Sequence, residues 1–461
     1  MNELQKFTWN GIDLEGLRQV MDQPSDDAVA SIFESGSMRH LGALLKGMAE
    51  NDDFVSKELP PAMHDFVQQE LEISFSEEDI ALFNQTHNIW KRDGMKFVFI
   101  LFFRALPYTY MAEKPANVLR TTRLLETQTS RRVFETAQFV FDVMDRHWWM
   151  PKKRGILTAL KIRIMHSGMR HVILDANKQG EKWNEAWGKP ISQEDLIATN
   201  QVFSLEFFKG MSMLGETLNA QEQKAWFHTW KTIGRIMGVH ENLICKDVAE
   251  AWTLQHAVYA HLFKDETQSG ILLAEKLVEA LDHFHMPEEL VLLLMKRMLA
   301  DEQFPDCFER MLGPSFASKH PEYFVSHNSD REKKEHDAVL RKHFHTHIKT
   351  YYDTLKDKKP EIKEKKKNSG FWNKILSFIL NLFGIDKGGT HLIDTQFDKL
   401  HNLLHDGKGK PIEEIEEEVI IELMSVLGGI MVSILSIYFR EGKETGFRIP
   451  KDLEDNWALK G

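Results

Sequence analysis

Cysteine is nearly absent from this chain, which has 461 residues and contains only Cys245 and Cys307. Two cysteines cannot build the disulfide framework of a small secreted domain, and they cannot supply a cysteine-rich zinc site. Residues 1–10 also lack the basic stretch and apolar run of a secretory leader. These absences predict a cytoplasmic protein kept under reducing conditions.

Basic residues do not outweigh acidic ones, because 58 Lys and Arg against 69 Asp and Glu give a net charge of -11. Sequence-independent binding to a phosphate backbone needs a basic surface, so nucleic acid is not expected as a partner. The glycine-rich loop patterns that cradle nucleotide phosphates are missing too. Nucleotide binding therefore has no support.

Helix-breaking residues are sparse, because 27 Gly and 14 Pro leave long uninterrupted stretches. Most of these stretches carry apolar residues three or four positions apart, which is the spacing of amphipathic helices. No convincing pair of alternating strands is present. We therefore predict an all-α protein, a large helical bundle with a C-terminal helical extension. The clearest predicted helices begin after Ser25 or cover 120–146, 155–178, 192–215, 220–238, 247–262 and 270–284.

The composition changes near residue 330, where Lys- and Glu-rich segments begin. We predict a helical domain over 1–330, a charged helix end and linker over 331–370, and an apolar helical extension over 371–461. Two apolar stretches, 371–385 and 423–439, stand out in the extension. They are expected to form a buried hairpin, packed on the body or on a partner subunit, or to contact a membrane peripherally.

One predicted helix carries the residues best suited to chemistry, since His166 lies between Arg163 and Arg170. At 100° per residue the three side chains share one stripe, which Ile162 and Met169 border with apolar groups. Buried cations need an anion, and a neutral imidazole can ligate a metal. An iron-bearing cofactor with carboxylates, such as haem b, fits this stripe. The alternative is a surface histidine whose arginine neighbours pair with nearby glutamates.

Four blocks of sequence occur in a characteristic order and spacing between residues 20 and 280. They are Thr122-Arg-Leu-Leu with Arg132-Val-Phe-Glu-Thr136-Ala-Gln-Phe139-Val-Phe-Asp142; the helix of Arg163, His166 and Arg170; Trp187-Gly-Lys-Pro190-Ile-Ser-Gln193-Glu194-Asp195 with Thr199 and Phe203; and Trp230 with Gly234 and Gly238. In these blocks the chain resembles the MpaB-like or DUF2236 oxygenase family, which includes latex-clearing (rubber-cleaving) proteins and the fungal mycophenolic-acid side-chain oxygenase.

The resemblance implies an all-α fold around haem b, with a small apolar alkene-containing substrate and O₂ as partners. It implies that His166 is the proximal iron ligand and that Arg163 and Arg170 support the cofactor or its propionates. Arg132 and Thr136 are expected on a neighbouring helix near the pocket. The activity it implies is oxidative cleavage of an isoprenoid or lipid double bond.

One position departs from the rubber-cleaving pattern. The residue before the matching threonine is a lysine in those relatives, where it is proposed as a distal iron ligand in the closed state, whereas here it is Glu135. A carboxylate there would act as a base or hold water, or it would simply face solvent. The family's acid-base glutamate lies upstream of this helix, with Glu113 as the nearest candidate.

Two other side-chain patterns bear on binding. Phe203 and Phe207 share a helical face and are candidate walls of a substrate pocket. The run His343, His345 and His347 alternates along a predicted helix, where alternate side chains splay apart, so no metal site is expected from the run as a whole.

Two further functions stay open on the sequence. One is a haem-free helical protein that binds lipid or associates with a membrane through its apolar C-terminal stretches. The other is a haem sensor or carrier without turnover. Haem absorption by the purified protein separates the first of these from the oxygenase.

Overall fold

The computed structural model describes residues 8–34, 60–121, 136–150, 154–178, 183–265, 267–281, 285–325, 329–368, 389–405 and 417–438. Helices account for most of this part of the chain, so the prediction of an all-α protein is confirmed. The helices are α1 (Leu14–Leu17), α2 (Gln23–Glu34), α3 (Pro61–Leu71), α4 (Glu77–Ile100), α5 (Leu106–Tyr110), α6 (Glu113–Thr121), α7 (136–143), α8 (Arg154–Lys178), α9 (Gln193–Met213), α10 (Ala220–Ile236), α11 (Val248–Leu262), α12 (Gln268–Leu281), α13 (Glu288–Met298), α14 (Cys307–Lys319), α15 (Asp330–Asn368), α16 (Gly389–Leu404) and α17 (Glu417–Tyr438). A π-helical turn, Leu101–Ala105, joins α4 to α5.

Helix ends follow the capping residues that the sequence shows. Before α9, the backbone N–H of Ser192 donates to Asp195 Oδ2 at 2.9 Å, which fixes the start of the helix. After α9 and α10, Gly215 and Gly238 have φ of +72° and +87°, the left-handed conformation that ends many helices. Ser192 thus caps α9, and the two glycines follow the last turns of the helices that the sequence predicts over 192–215 and 220–238.

A short hairpin near the N-terminus corrects the expectation that no strands pair. Strand β1 (Thr8–Trp9) pairs antiparallel with β2 (Ile12–Asp13). Asn10 and Gly11 connect the strands with φ of 49° and 80°, the positive values that a two-residue hairpin turn requires. The Asn-Gly pair was the available signal, but strands of two residues are too short to show alternation.

The chain divides by its contacts into two compact units. Unit 1 comprises Met1–Trp90, Thr109–Phe208 and Leu218–Gly270, and unit 2 comprises Lys91–Tyr108, Lys209–Thr217 and Ile271–Gly461. The predicted boundaries at residues 330 and 370 state which parts of the chain would fold on their own. They stay a prediction. The charged segment that follows residue 330 forms the single long helix α15, on which Tyr351 and Tyr352 are buried.

The second apolar stretch of the extension lies in α17, within unit 2. Leu423, Met424, Leu427 and Met431 are buried there, and α17 packs against α16. Of the described helices, none alone is long and apolar enough to cross a membrane, while the bent pair 77–110 and 113–120 meets that test by length and composition. The first stretch, 371–385, lies outside the described residues.

Candidate functional site

His166 lies near the middle of α8, which packs against α2, α3 and α10 within unit 1. The residue is half-buried, and the Nδ1 atom of its ring is inaccessible to solvent. The next residue, Ser167, is buried and donates from its hydroxyl to Ser25 Oγ on α2 at 2.8 Å. The Ser167–Ser25 hydrogen bond therefore fastens α8 to α2 next to His166.

Arg163, one turn before His166, is buried in a network of carboxylates. Its Nε and Nη2 atoms donate to the two carboxylate oxygens of Asp22 at 2.7 and 3.0 Å. Its Nη1 atom lies 2.9 Å from Glu70 Oε2 on α3 and donates to the carbonyl of Ile236 at 3.3 Å. Burial by itself disfavours the charge, but Asp22 and Glu70 outweigh it and raise the pKa of Arg163 above its ordinary value. This permanent cation joins three segments of unit 1.

Arg170 repeats the arrangement on the next turns of α8. Its Nε donates to Asp26 Oδ1 at 2.7 Å, its Nη2 to Ser167 Oγ at 2.7 Å, and its Nη1 to the carbonyl of Ile191 at 3.2 Å. Burial raises the pKa of Asp26, although Arg170 opposes that shift. Asp22, just before α2, and Asp26, in its first turn, therefore each pair with one of the two arginines of α8.

Gly238, the last glycine of the fourth block, makes the first ion pair sterically possible. A Cβ atom at this position would lie 2.2 Å from Asp22 Oδ2 and 2.8 Å from Arg163 Nε. Any side chain here would push into the ion pair, and its φ of +87° independently favours glycine. The block therefore shapes the environment of α8.

The two arginines use most of their donors inside the protein, so the structure gives them a positioning role toward the helix of His166. Their predicted support of haem propionates stays a prediction. Sequence reasoning missed their partners Asp22, Asp26 and Glu70. The four-residue spacing of two acids at the start of α2 was the only signal, and it named no partner.

Thr136 is the first described residue of α7, and it is half-buried. Arg132 and Glu135 lie outside the described residues, so the roles predicted for them stay predictions. Helix α7 is tied to α8, because Thr158 Oγ1 donates to Asp142 Oδ2 at 2.8 Å. The helix that carries Thr136 thus lies beside the helix of the candidate iron ligand.

Glu113 serves as a cap for α12. Its carboxylate accepts hydrogen bonds from the Ser269 N–H at 2.8 Å and hydroxyl at 2.9 Å, and from Asn117 Nδ2 at 2.9 Å. The Thr267 hydroxyl lies 3.3 Å from the same group. A carboxylate with both oxygens engaged at a helix start is a structural cap. The geometry therefore does not favour Glu113 as an acid-base group.

Phe203 and Phe207 belong to an aromatic cluster, which we define as Phe139, Phe203, Phe207, Trp226 and Trp230. The Phe203 ring stacks on Trp230 with centroids 5.0 Å apart, and Phe207 lies 4.2 Å from Trp226. Phe139 on α7 meets Phe203 edge-on at 6.0 Å. The cluster links α7, α9 and α10 through buried apolar rings, and the predicted role of Phe203 and Phe207 as pocket walls stays a prediction.

A second buried polar network involves the acids of the third block. Arg18 Nη1 donates to Asp195 Oδ1 at 2.5 Å, and His261 Nδ1 lies 2.5 Å from Glu194 Oε1. The other ring nitrogen of His261 lies 2.9 Å from Glu15 Oε2. Burial raises the pKa of Glu194 although His261 and Arg18 act in the opposite direction. The network ties the segment before α2 to α9 and α11.

The chain is similar to known proteins in sequence and in fold. The family described as "ER-bound oxygenase mpaB/B'/Rubber oxygenase, catalytic domain" matches residues 90–321. The rubber oxygenase of Streptomyces sp. (strain K30) is 25% identical over 279 residues, which cover 57% of this chain and 64% of that protein. The match thus spans less than two thirds of the relative's length.

Among solved structures, the latex clearing protein LCP in the closed state is similar, with a TM-score of 0.55 and 20% sequence identity. The superposition covers 74% of this chain and 95% of that one. At this identity the likeness shows a common helical fold.

Proposed function

We propose that this chain, which belongs to the family of mpaB/B' and rubber oxygenase catalytic domains, is a haem b-dependent oxygenase with His166 as the proximal iron ligand. The observation that carries the proposal is the setting of His166, half-buried on a helix that two buried ion pairs hold in place. The substrate class is a small apolar alkene, and the reaction is oxidative cleavage of an isoprenoid or lipid double bond.

The donor set near His166 suits haem. In the part of the chain that the structure describes, no group of three or more His, Cys, Asp or Glu side chains is arranged to hold a bare metal ion. A haem iron takes four ligands from the porphyrin and needs one imidazole from the protein as its proximal ligand. His166, bordered by Ile162 and Met169, can provide that single ligand from a partly apolar helix face.

Haem, when bound, supplies the oxygen chemistry, and the protein supplies orientation and a dry environment. The pairs Arg163–Asp22 and Arg170–Asp26 resist rotation of α8 about its axis, which keeps the helix face that carries His166 turned to one side. The aromatic cluster supplies rings that exclude water from an apolar substrate. Thr136 would present a hydroxyl from α7, and Glu135 would hold a proton or a water on the distal side.

Turnover by the haem-loaded protein tests this proposal. Short isoprenoids and monounsaturated lipids are incubated with the protein and O₂, and products are identified by mass spectrometry. Cleavage of one double bond should give two carbonyl fragments that each carry one oxygen atom from O₂. His166→Ala should yield no cleavage products. His171→Ala should keep activity, because the His171 ring is engaged with Phe33, at a centroid distance of 3.7 Å, and is not the proposed iron ligand.

The two rival functions give different results in the same preparation. A haem-loaded protein that cleaves none of these alkenes would support a haem sensor or carrier. A colourless protein from haem-replete cells would support a haem-free lipid-binding protein. Either result would overturn the proposed oxygenase.

A further inference from the structure

Two histidines of the run on α15 border the buried side of that helix. His343 directly precedes Phe344, which is buried. One turn further on, His347 directly precedes Ile348, which is buried as well. The four-residue spacing places both histidine rings on one face of the helix, and both are half-buried. They belong to unit 2, whereas His166 belongs to unit 1, so a role for this pair does not rest on the proposed oxygenase function.

Both rings belong to a row of four, which we call the ring chain and define as His320, Tyr323, His343 and His347. His320 follows α14 and stacks on Tyr323, with ring centroids 5.8 Å apart. The buried Tyr323 ring meets His343 edge-on at 6.1 Å. His343 in turn meets His347 edge-on at 6.3 Å. The ring chain thus connects the end of α14 to α15, and α15 also packs against α13.

The packed ring of His343 is poorly placed to accept a second proton. Its Nδ1 atom is inaccessible to solvent and has no hydrogen-bond partner among the described residues. A neutral imidazole carries a hydrogen on only one ring nitrogen, so Nδ1 can stay bare. An imidazolium carries a hydrogen on each nitrogen, which would bury an N–H donor with no acceptor from this part of the chain. Such an unsatisfied donor is costly, so packing favours the neutral ring.

The charges that face His347 come from three neighbouring segments. Burial lowers the pKa of His347, and a charge on His343 or His320 would act in the same direction. Glu289 on α13 and Glu322, in the turn that carries Tyr323, oppose that shift without outweighing it. The net effect again favours a neutral ring in the packed helix.

His320, at the other end of the ring chain, has the opposite setting. Its Nε2 atom lies 2.7 Å from Glu288 Oε1, and its Nδ1 atom lies 3.8 Å from Glu322 Oε1. A charge on this ring is therefore compensated by a carboxylate on each side. Acid leaves this end of the ring chain in place and acts on the end that belongs to α15.

We propose that His343 and His347 form an acid-sensitive switch, which holds α15 against α13 while both rings are neutral and loosens α15 when they take up protons. A histidine released from packing has a pKa of about 6.5. Because the packed His347 has a lower pKa, the loosened form binds a proton first as the pH falls. Packing of α15 therefore loses stability from about pH 6.5 down to the lowered value. The effect should reach α16, because the Tyr352 hydroxyl of α15 lies 2.7 Å from His401 Nδ1.

Hydrogen exchange of the full-length protein tests the switch. Mass spectrometry measures the protection of the backbone amides of 343–355 from about pH 7.5 to about pH 5, the range in which histidine titrates. Each rate is corrected for the intrinsic pH dependence of exchange. In the wild type we expect the protection of these amides to fall by about 10-fold or more on acidification.

Three variants assign the effect to the two rings. The double variant His343→Gln with His347→Gln should abolish the fall, because glutamine does not titrate, and His347→Gln alone should keep part of it. His345→Gln is the matched control, since His345 lies about 200° around the helix from His343, and it should keep the whole fall. Circular dichroism at neutral pH confirms that each variant is folded.

The proposal is overturned if wild-type protection does not change with pH. It is also overturned if His347→Gln or the double variant loses as much protection as the wild type, or if His345→Gln abolishes the loss.

Discussion

Helices α8 and α17 both bury apolar side chains in their units, but α8 also buries two arginines in ion pairs. On α8, Arg163 and Arg170 are buried against carboxylates, whereas on α17 Leu423, Leu427 and Met431 are buried among apolar groups. Charge-assisted hydrogen bonds depend on donor direction and therefore fix the rotation of a helix. Apolar burial is non-directional and scales with area. The helix with the candidate iron ligand is thus the one held by directional contacts.

Close backbone approach takes the place of directional contacts on α17. A Cβ on Gly428 would lie 2.3 Å from the carbonyl oxygen of Met95 and 3.1 Å from the Cβ of Phe99. On the adjacent Gly429 it would meet the side chain of Gln396 at 2.6 Å. Two consecutive glycines let α17 pack more closely than any other residue would allow.

The largest expected effect is that of Arg163→Met. This change leaves the buried Asp22 and the partly exposed Glu70 without their cation, and removal of one partner of a buried pair typically costs about 3–5 kcal/mol. The free energy of unfolding in urea measures it. Adding Asp22→Asn and Glu70→Gln should recover part of the loss. A loss below about 1 kcal/mol, typical of a surface ion pair, would contradict the account.

Arg170→Met should cost less, about 1.5–3 kcal/mol, the range for hydrogen bonds to charged groups. Its partner Asp26 keeps 15% of its side chain exposed, compared with 3% for Asp22, so water compensates part of the lost pair. The same urea measurement ranks the two arginines. The reverse ranking would show that exposure of the acid does not control the cost.

Gly428→Ala probes the apolar side of the comparison. Overpacking of a closely packed site typically costs about 1–3 kcal/mol. Met431→Leu on the same helix conserves volume and should cost less than about 1.5 kcal/mol. The melting temperatures of both variants, compared with the wild type, measure these costs. Equal stability of Gly428→Ala and the wild type would show that α17 does not approach Met95 closely.

The smallest expected effect is a difference in pH dependence between two aspartates. Burial tends to raise the pKa of Asp301 in unit 2, but Lys209 outweighs it and the pKa falls below its ordinary value. Asp301 therefore contributes stability above its unfolded pKa of about 3.9, and that contribution is lost as the pH falls through the lowered folded value. The stability deficit of Asp301→Asn should shrink below this pH.

Asp26 should behave in the opposite way, because its pKa is raised. Its unfolded form releases its proton first, so ionisation costs stability as the pH rises from about 3.9 through the raised folded value. Relative to the wild type, Asp26→Asn should gain stability over that interval in melting temperatures recorded from acid to neutral pH. Parallel curves for the two aspartate variants would contradict both assignments.

The sequence predicted the parts of this fold that depend on local signals. The cap at Ser192, the stops at Gly215 and Gly238 and the position of His166 on a helix all follow from spacing within a few residues. The partner of Arg163 could not be predicted, because Asp22 lies 141 residues away and many acids had an equal claim. Glu113 shows the same limit, since its role as a cap depends on a helix that begins far along the chain.

A haem titration tests the central claim most directly. Haem is added to the haem-free protein, and its Soret absorption is followed for the wild type, His166→Ala and His171→Ala. We predict saturation at one haem per chain for the wild type and His171→Ala, and loss or strong weakening of binding for His166→Ala. Binding of equal affinity, with an unchanged spectrum, in His166→Ala would contradict the assignment of His166 as the iron ligand.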